Sequence, residues 1–78
     1  MQFQRLDTVI LNRDLPQHGL RRGDLGAVVE VYLPNDLEVE FVTLAGRTAA
    51  LLTLPVSDVR GVSEADLPSV RSFDRKTA

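Results

Sequence analysis

Eight consecutive residues, Gly19-Leu20-Arg21-Arg22-Gly23-Asp24-Leu25-Gly26, carry three glycines and run directly into Ala27-Val28-Val29-Glu30-Val31-Tyr32-Leu33. Glycines this dense suit a backbone that turns tightly or visits positive φ, and the β-branched run behind them suits a pleated, half-buried surface. A loop set hard against a strand in this way constrains the fold. It names no reaction.

The rest of the chain reads as strands separated by turn residues. Residues 7–11 (Asp-Thr-Val-Ile-Leu) predict a first strand, and residues 12–26 a long loop whose Leu15 and Leu20 fold back onto the core. The second strand spans residues 27–33 and stops at Pro34-Asn35-Asp36, a tight-turn composition. Leu37-Glu38-Val39-Glu40-Phe41-Val42 alternates apolar and charged residues with period two, the pattern of a strand with one buried face. Ala45-Gly46 marks the next hairpin, residues 48–54 a fourth strand, residues 55–58 a single helical turn and residues 59–62 a fifth strand. The order describes an all-β, five-stranded SH3-like barrel over residues 1–62 with a short polar C-terminal tail, 63–78. A five-stranded oligonucleotide-binding barrel needs a helix between its third and fourth strands, and none fits between Val42 and Thr48. Within the tail, Leu67, Val70 and Phe73 are expected to clasp the barrel or a partner, and Asp74 through Ala78 to be disordered.

At 78 residues the chain makes one small domain with little surface to spare for an elaborate active site. It has no cysteine, so neither disulfides nor thiolates hold it together. No basic start followed by an apolar run opens it, and no stretch approaches the ~20 apolar residues that span a bilayer. A cytoplasmic protein is expected. Nine basic against eleven acidic residues leave a net charge of −2, which provides no field to concentrate nucleic acid. That excess lies in residues 1–62, with six arginines against eight acids.

These residues resemble a family of small bacterial single-domain proteins of unknown function. The pattern runs through Asp7-Thr8-Val9, Leu15-Pro16, Gly19-Leu20 with Gly23-Asp24, Gly26 and Val28-Val29, the residues from Glu38 to Phe41, and Thr53-Leu54-Pro55, covering about residues 5–61. The resemblance implies an SH3-like barrel without known catalysis, found in compact gene pairs that point to a partner protein. It carries over no functional residue. The Gly-Asp-x-Gly-x-Val segment is also similar to the KOW motif of translation and transcription factors, whose basic residues are represented here by Arg21 and Arg22 alone.

No constellation for catalysis emerges. His18, the single histidine, lies beside Gln17 in the polar part of the long loop and reads as exposed. Asp7, Asp14 and Asp24 lack calcium-loop spacing, and the glycines precede a strand rather than a phosphate-binding helix, so neither metal, nucleotide nor other cofactor is expected. Asp24 has a structural task, accepting backbone N–H groups in the turn. Arg13, Arg21 and Arg22 form the one basic cluster and are the residues of a nucleic-acid alternative. A solvated loop is the simpler reading.

The outer face of the sheet is more informative. A three-residue connection at Pro34-Asn35-Asp36 places Leu33, Val31 and Val29 opposite Leu37, Val39 and Phe41 on the inside, with Glu30 opposite Glu40 and Val28 opposite Val42 outside. Pairing Thr43 with Thr48 puts Ala50 and Leu52 inside and turns Ala49 and Leu51 out. The expected partner-binding face is therefore Val28, Glu30, Glu40, Val42, Ala49 and Leu51. It is an apolar patch beside two directly opposed glutamates, which repel unless something covers them. The expected function is non-enzymatic binding of another protein, the product of a neighbouring gene or a second copy, in the manner of an antitoxin, immunity or accessory subunit. A KOW-like nucleic-acid or ribosome-associated module is the alternative.

Overall fold

Five antiparallel strands form the single sheet of the computed structural model, which describes residues 1–73. They are β1 (Thr8–Leu11), β2 (Leu25–Tyr32), β3 (Asp36–Val42), β4 (Thr48–Pro55) and β5 (Val59–Gly61). Two single 3-10 turns, Pro16–His18 and Val56–Asp58, complete the set. The strand order is β4-β3-β2-β1-β5, so the sheet carries the last strand beside the first, giving the all-β SH3-like architecture. The expectation for residues 74–78 lies outside the described residues.

Each element follows from local chemistry. Pro16 opens its 3-10 turn where its fixed φ fits, and Gly19 closes that turn in the left-handed region at φ 68°. Below it Leu15 and Leu20 exchange backbone hydrogen bonds of 2.9 and 3.1 Å and bury their side chains, as their apolar character predicts. Gly23, at φ 96°, has open space where a Cβ would stand, so its requirement is conformational. Gly26 is the reverse case. A Cβ there would lie 2.5 Å from Val39 Cγ1 and 3.0 Å from the Phe41 ring. This glycine lets β2 cross directly over the β3 side chains.

The β3 face read from period two is correct. Leu37, Val39 and Phe41 are buried with Val9, Leu11, Val28, Leu54 and Val59 in one core, onto which Phe3, Leu15 and Leu20 close. The β2–β3 register differs from the expected one in two ways. The connection is Leu33-Pro34-Asn35, because Tyr32 pairs with Asp36, and this leaves Leu33 75% exposed rather than inside. A β-bulge between Val28 and Glu30 then inserts one extra residue, so the first half of β2 presents the other face. Val28 pairs with Val39 and is fully buried, while Val29 is only half-buried. Glu30 opposes Glu38, not Glu40, and Val31 opposes Leu37.

The second hairpin keeps its expected register over most of its length, with Phe41 opposite Ala50 and Val39 opposite Leu52. At its turn Val42, rather than Thr43, pairs with Thr48, and the resulting bulge turns Ala49 toward the core instead of outward. Thr43 closes the loop by donating its N–H to the Arg47 carbonyl at 2.8 Å, and Gly46 sits at φ 87°.

Candidate partner-binding face and the clasped glycine loop

Residues directly opposite one another in an antiparallel pair share a face, so the pairings assign the outer surface. From β3 it takes Asp36, Glu38, Glu40 and Val42, from β2 Glu30 and Tyr32, and from β4 Leu51 and Thr53. Of the six residues expected there, Glu30, Glu40, Val42 and Leu51 are on this face. Val28 is not, because the bulge carries it inside, and Ala49 packs half-buried against the core. Val42 and Leu51 remain 47% and 52% exposed on either side of Glu40.

The three glutamates of this face are held by neutral donors. Tyr32 donates its hydroxyl to Glu38 Oε1 at 3.0 Å, and Thr48 donates to Glu40 Oε2 at 2.6 Å. Glu30 Oε1 accepts the Val31 N–H at 3.0 Å. Among the described residues the ion pairs are Arg13–Asp58, Arg60–Asp66 and Arg71–Asp24, so no cation neutralises Glu30, Glu38 or Glu40. The bond that Tyr32 donates to Glu38, with the negative charges of Glu38 and Glu30 nearby, raises the Tyr32 phenol above its ordinary value. Glu38 and Tyr32 also belong to this surface; the alternation along their strands already turns both outward, but they are not among the six residues expected there.

The three arginines of the alternative site separate. Arg13 reaches the carboxylate of buried Asp58 at 3.6 Å. Arg21 and Arg22 are exposed and line a groove of about 270 Å³ with Gly23, Asp24, Ser69 and Arg71. The Arg22 N–H is donated to Asp14 Oδ1 at 2.8 Å, which fixes the loop backbone.

Asp24 does what its place in the turn demands, accepting the Arg21 N–H on Oδ2 at 2.7 Å. It also does something sequence spacing gave no sign of. Arg71 donates Nε to Asp24 Oδ1 at 3.1 Å and an Nη to Asp24 Oδ2, and that same nitrogen reaches the Gly19 carbonyl at 3.1 Å. The Arg71 guanidinium is raised further above its already high ordinary value by this carboxylate. Of the tail residues expected to clasp the barrel, Phe73 packs on the core, while Leu67 and Val70 stand 89% and 80% exposed.

His18 is exposed, as expected, on the rim of a wider groove of about 440 Å³ between residues 16–19 and 49–52. Among the described residues no helix is long and apolar enough to cross a membrane.

Strand order, hairpin register and the glycine loop define a small five-stranded SH3-like domain with an appended C-terminal strap. The chain belongs to the family described as Domain of unknown function (DUF4926), whose model matches residues 5–61. No curated protein and no solved structure matches it.

Proposed function

We propose that this domain is a non-enzymatic protein-binding module that docks another protein on the outer face of β3 and β4, as the accessory, immunity or antitoxin member of a pair of neighbouring genes. The observation that carries the reading is the juxtaposition of half-exposed Val42 and Leu51 with Glu30, Glu38 and Glu40, none of them ion-paired among the described residues. Apolar side chains flanked by uncompensated like charge gain from being covered by a surface with an apolar centre and a basic rim. The opposed Glu30–Glu38 pair is relieved by the same event. The nucleic-acid alternative through Arg13, Arg21 and Arg22 has less support, since Arg13 faces Asp58 and the remaining two share their groove with Asp24.

Affinity purification of the tagged protein beside its Val42→Lys, Leu51→Glu variant tests the reading. Both positions lie outside the core, so the variant is expected to fold and to lose the co-purifying protein, because an unpaired charge in a covered interface costs several kcal/mol. Retention of the partner by the folded variant removes this face. Retention of the domain on heparin at physiological salt, with no co-purifying protein, favours the nucleic-acid reading.

A further inference from the structure

Beyond β5 the chain forms neither helix nor strand through Phe73, yet it is tied down at two places. Near β5, Arg60 grips both oxygens of Asp66 at 2.9 Å, and Asp66 also accepts the Ser63 N–H at 2.7 Å. The chain then leaves Leu67 and Val70 exposed and meets the glycine loop at Ser69 and Arg71. Arg71 and Phe73 turn toward the domain while Ser72 between them is exposed, the alternation of an extended segment laid on a surface.

The acceptors that Arg71 meets are positioned without it. Gly19 is set in its left-handed conformation by its own N–H bond to the Pro16 carbonyl at 3.2 Å, above the Leu15–Leu20 bridge. Asp24 is held by the Arg21 N–H, and its carbonyl accepts the Leu11 N–H at 2.9 Å. Carboxylate and carbonyl thus stand ready for a planar, forked donor, a geometry that a guanidinium matches and an ammonium does not. The core beside them accepts an aromatic ring. The family match contains both acceptors and stops at residue 61, short of the segment that fills them.

We propose that the glycine loop, through Asp24 and the Gly19 carbonyl together with the part of the core that Phe73 covers, is a binding site for an extended polypeptide segment carrying Arg-x-Phe, and that Arg71-Ser72-Phe73 occupies it in cis. Tethering gives the resident segment an effective concentration on the order of millimolar, so a segment from another protein enters only by displacing it. The site lies on the loop, and its variants touch no outer-face residue, so it and the outer-face reading can fail independently.

The test uses the full chain with Arg71→Ala and Phe73→Ala, which empties the site, and a labelled, C-terminally amidated Leu-Pro-Ser-Val-Arg-Ser-Phe peptide followed by fluorescence anisotropy. Saturable binding is expected to the emptied variant, weaker by about tenfold or more to the wild type, whose own tail competes. Adding Asp24→Asn, or replacing the peptide's arginine by lysine, is expected to weaken binding to the emptied variant severalfold. Absence of binding to a folded emptied variant, or binding indifferent to Asp24→Asn, overturns the proposal. If the emptied variant does not fold, excess peptide on the ¹⁵N-labelled wild type decides. Displacement of the Arg71 and Phe73 amide signals supports the site, and unmoved signals overturn it.

Discussion

Asp24 and Arg71, separated by 47 positions in the chain, meet in a two-point ion pair that ties the C-terminal strap to the glycine loop. Both side chains are largely covered, at 21% and 28% exposure, so solvent weakens the pair less than it would on an open surface. Asp24 has a second duty inside the turn, accepting the Arg21 N–H, whereas the second contact of Arg71, to the Gly19 carbonyl, holds the strap alone.

That asymmetry sets the first expectation. Arg71→Ala is expected to cost about 1 kcal/mol and to release the strap, whereas Asp24→Ala loses the turn contact as well and costs about 2 kcal/mol. Chemical denaturation of both variants and of the double variant measures it. Equal losses for the two single variants would mean that the turn contact contributes no more than the Arg71 bond to the Gly19 carbonyl.

Two glycines of the same loop are expected to fail for different reasons. Gly26→Ala drives a methyl into Val39 and Phe41 and is expected to cost about 1–3 kcal/mol, while Gly23→Ala is strained by positive φ and costs about 1 kcal/mol. Trimming Val39 to Ala is therefore expected to be less damaging in the Gly26→Ala background than in the wild type, with no such rescue for Gly23→Ala. Strict additivity in both backgrounds would refute the packing argument.

The Leu33-Pro34-Asn35 connection, by pairing Tyr32 with Asp36, moves the charge repulsion to Glu30 and Glu38 and makes it testable. Glu30→Gln removes one member of the opposed pair and is expected to raise stability by a few tenths of a kcal/mol, whereas Glu40→Gln, opposite Ala27 and bonded to Thr48, is not. Phe41→Ala, at the core end of the same strand, is expected to cost about 3–5 kcal/mol and unfold so small a domain. Stabilisation of similar size by Glu40→Gln and Glu30→Gln would restore the register in which Leu33 pairs with Leu37 and Glu30 with Glu40.

Titration reads two contacts directly. The Tyr32 phenol is held above its ordinary value of 10.0, first by its bond to Glu38, so this contact's contribution is complete below pH 10 and is lost as the pH rises through the folded value. Ultraviolet titration is expected to show that rise and its removal in Glu38→Gln. Asp66 shows the opposite sign. Arg60, and then the Ser63 N–H, hold its carboxyl well below the usual carboxylate range, so its contribution is present above the ordinary 3.8 and is lost only in stronger acid. Amide signals of Ser63 and Asp66 that moved near pH 4 would contradict this.

Much of the architecture was legible because strands declare themselves locally. The alternation from Leu37 to Val42 marks one buried face, Pro34 and Gly46 mark turns, and Leu15 and Leu20 are apolar in a polar loop. What stayed hidden was non-local. One extra residue at Val29 changes the face of Val28 without altering composition, because a bulge is decided by which partner residues fit across the strand pair. Gly23 and Gly26 look alike in sequence, and only the side chains beneath Gly26 distinguish space from conformation. The Asp24–Arg71 clasp has no spacing rule to reveal it, since it depends on where an irregular tail happens to return.

The most direct test of protein binding on the outer face is amide mapping with the co-purified partner titrated into the ¹⁵N-labelled domain. The expected result is that signals of Glu38, Glu40, Val42 and Leu51 shift or broaden together, with the effect lost in Val42→Lys, Leu51→Glu. Shifts confined to Arg21, Arg22 and Arg71, with these four unmoved, would contradict it.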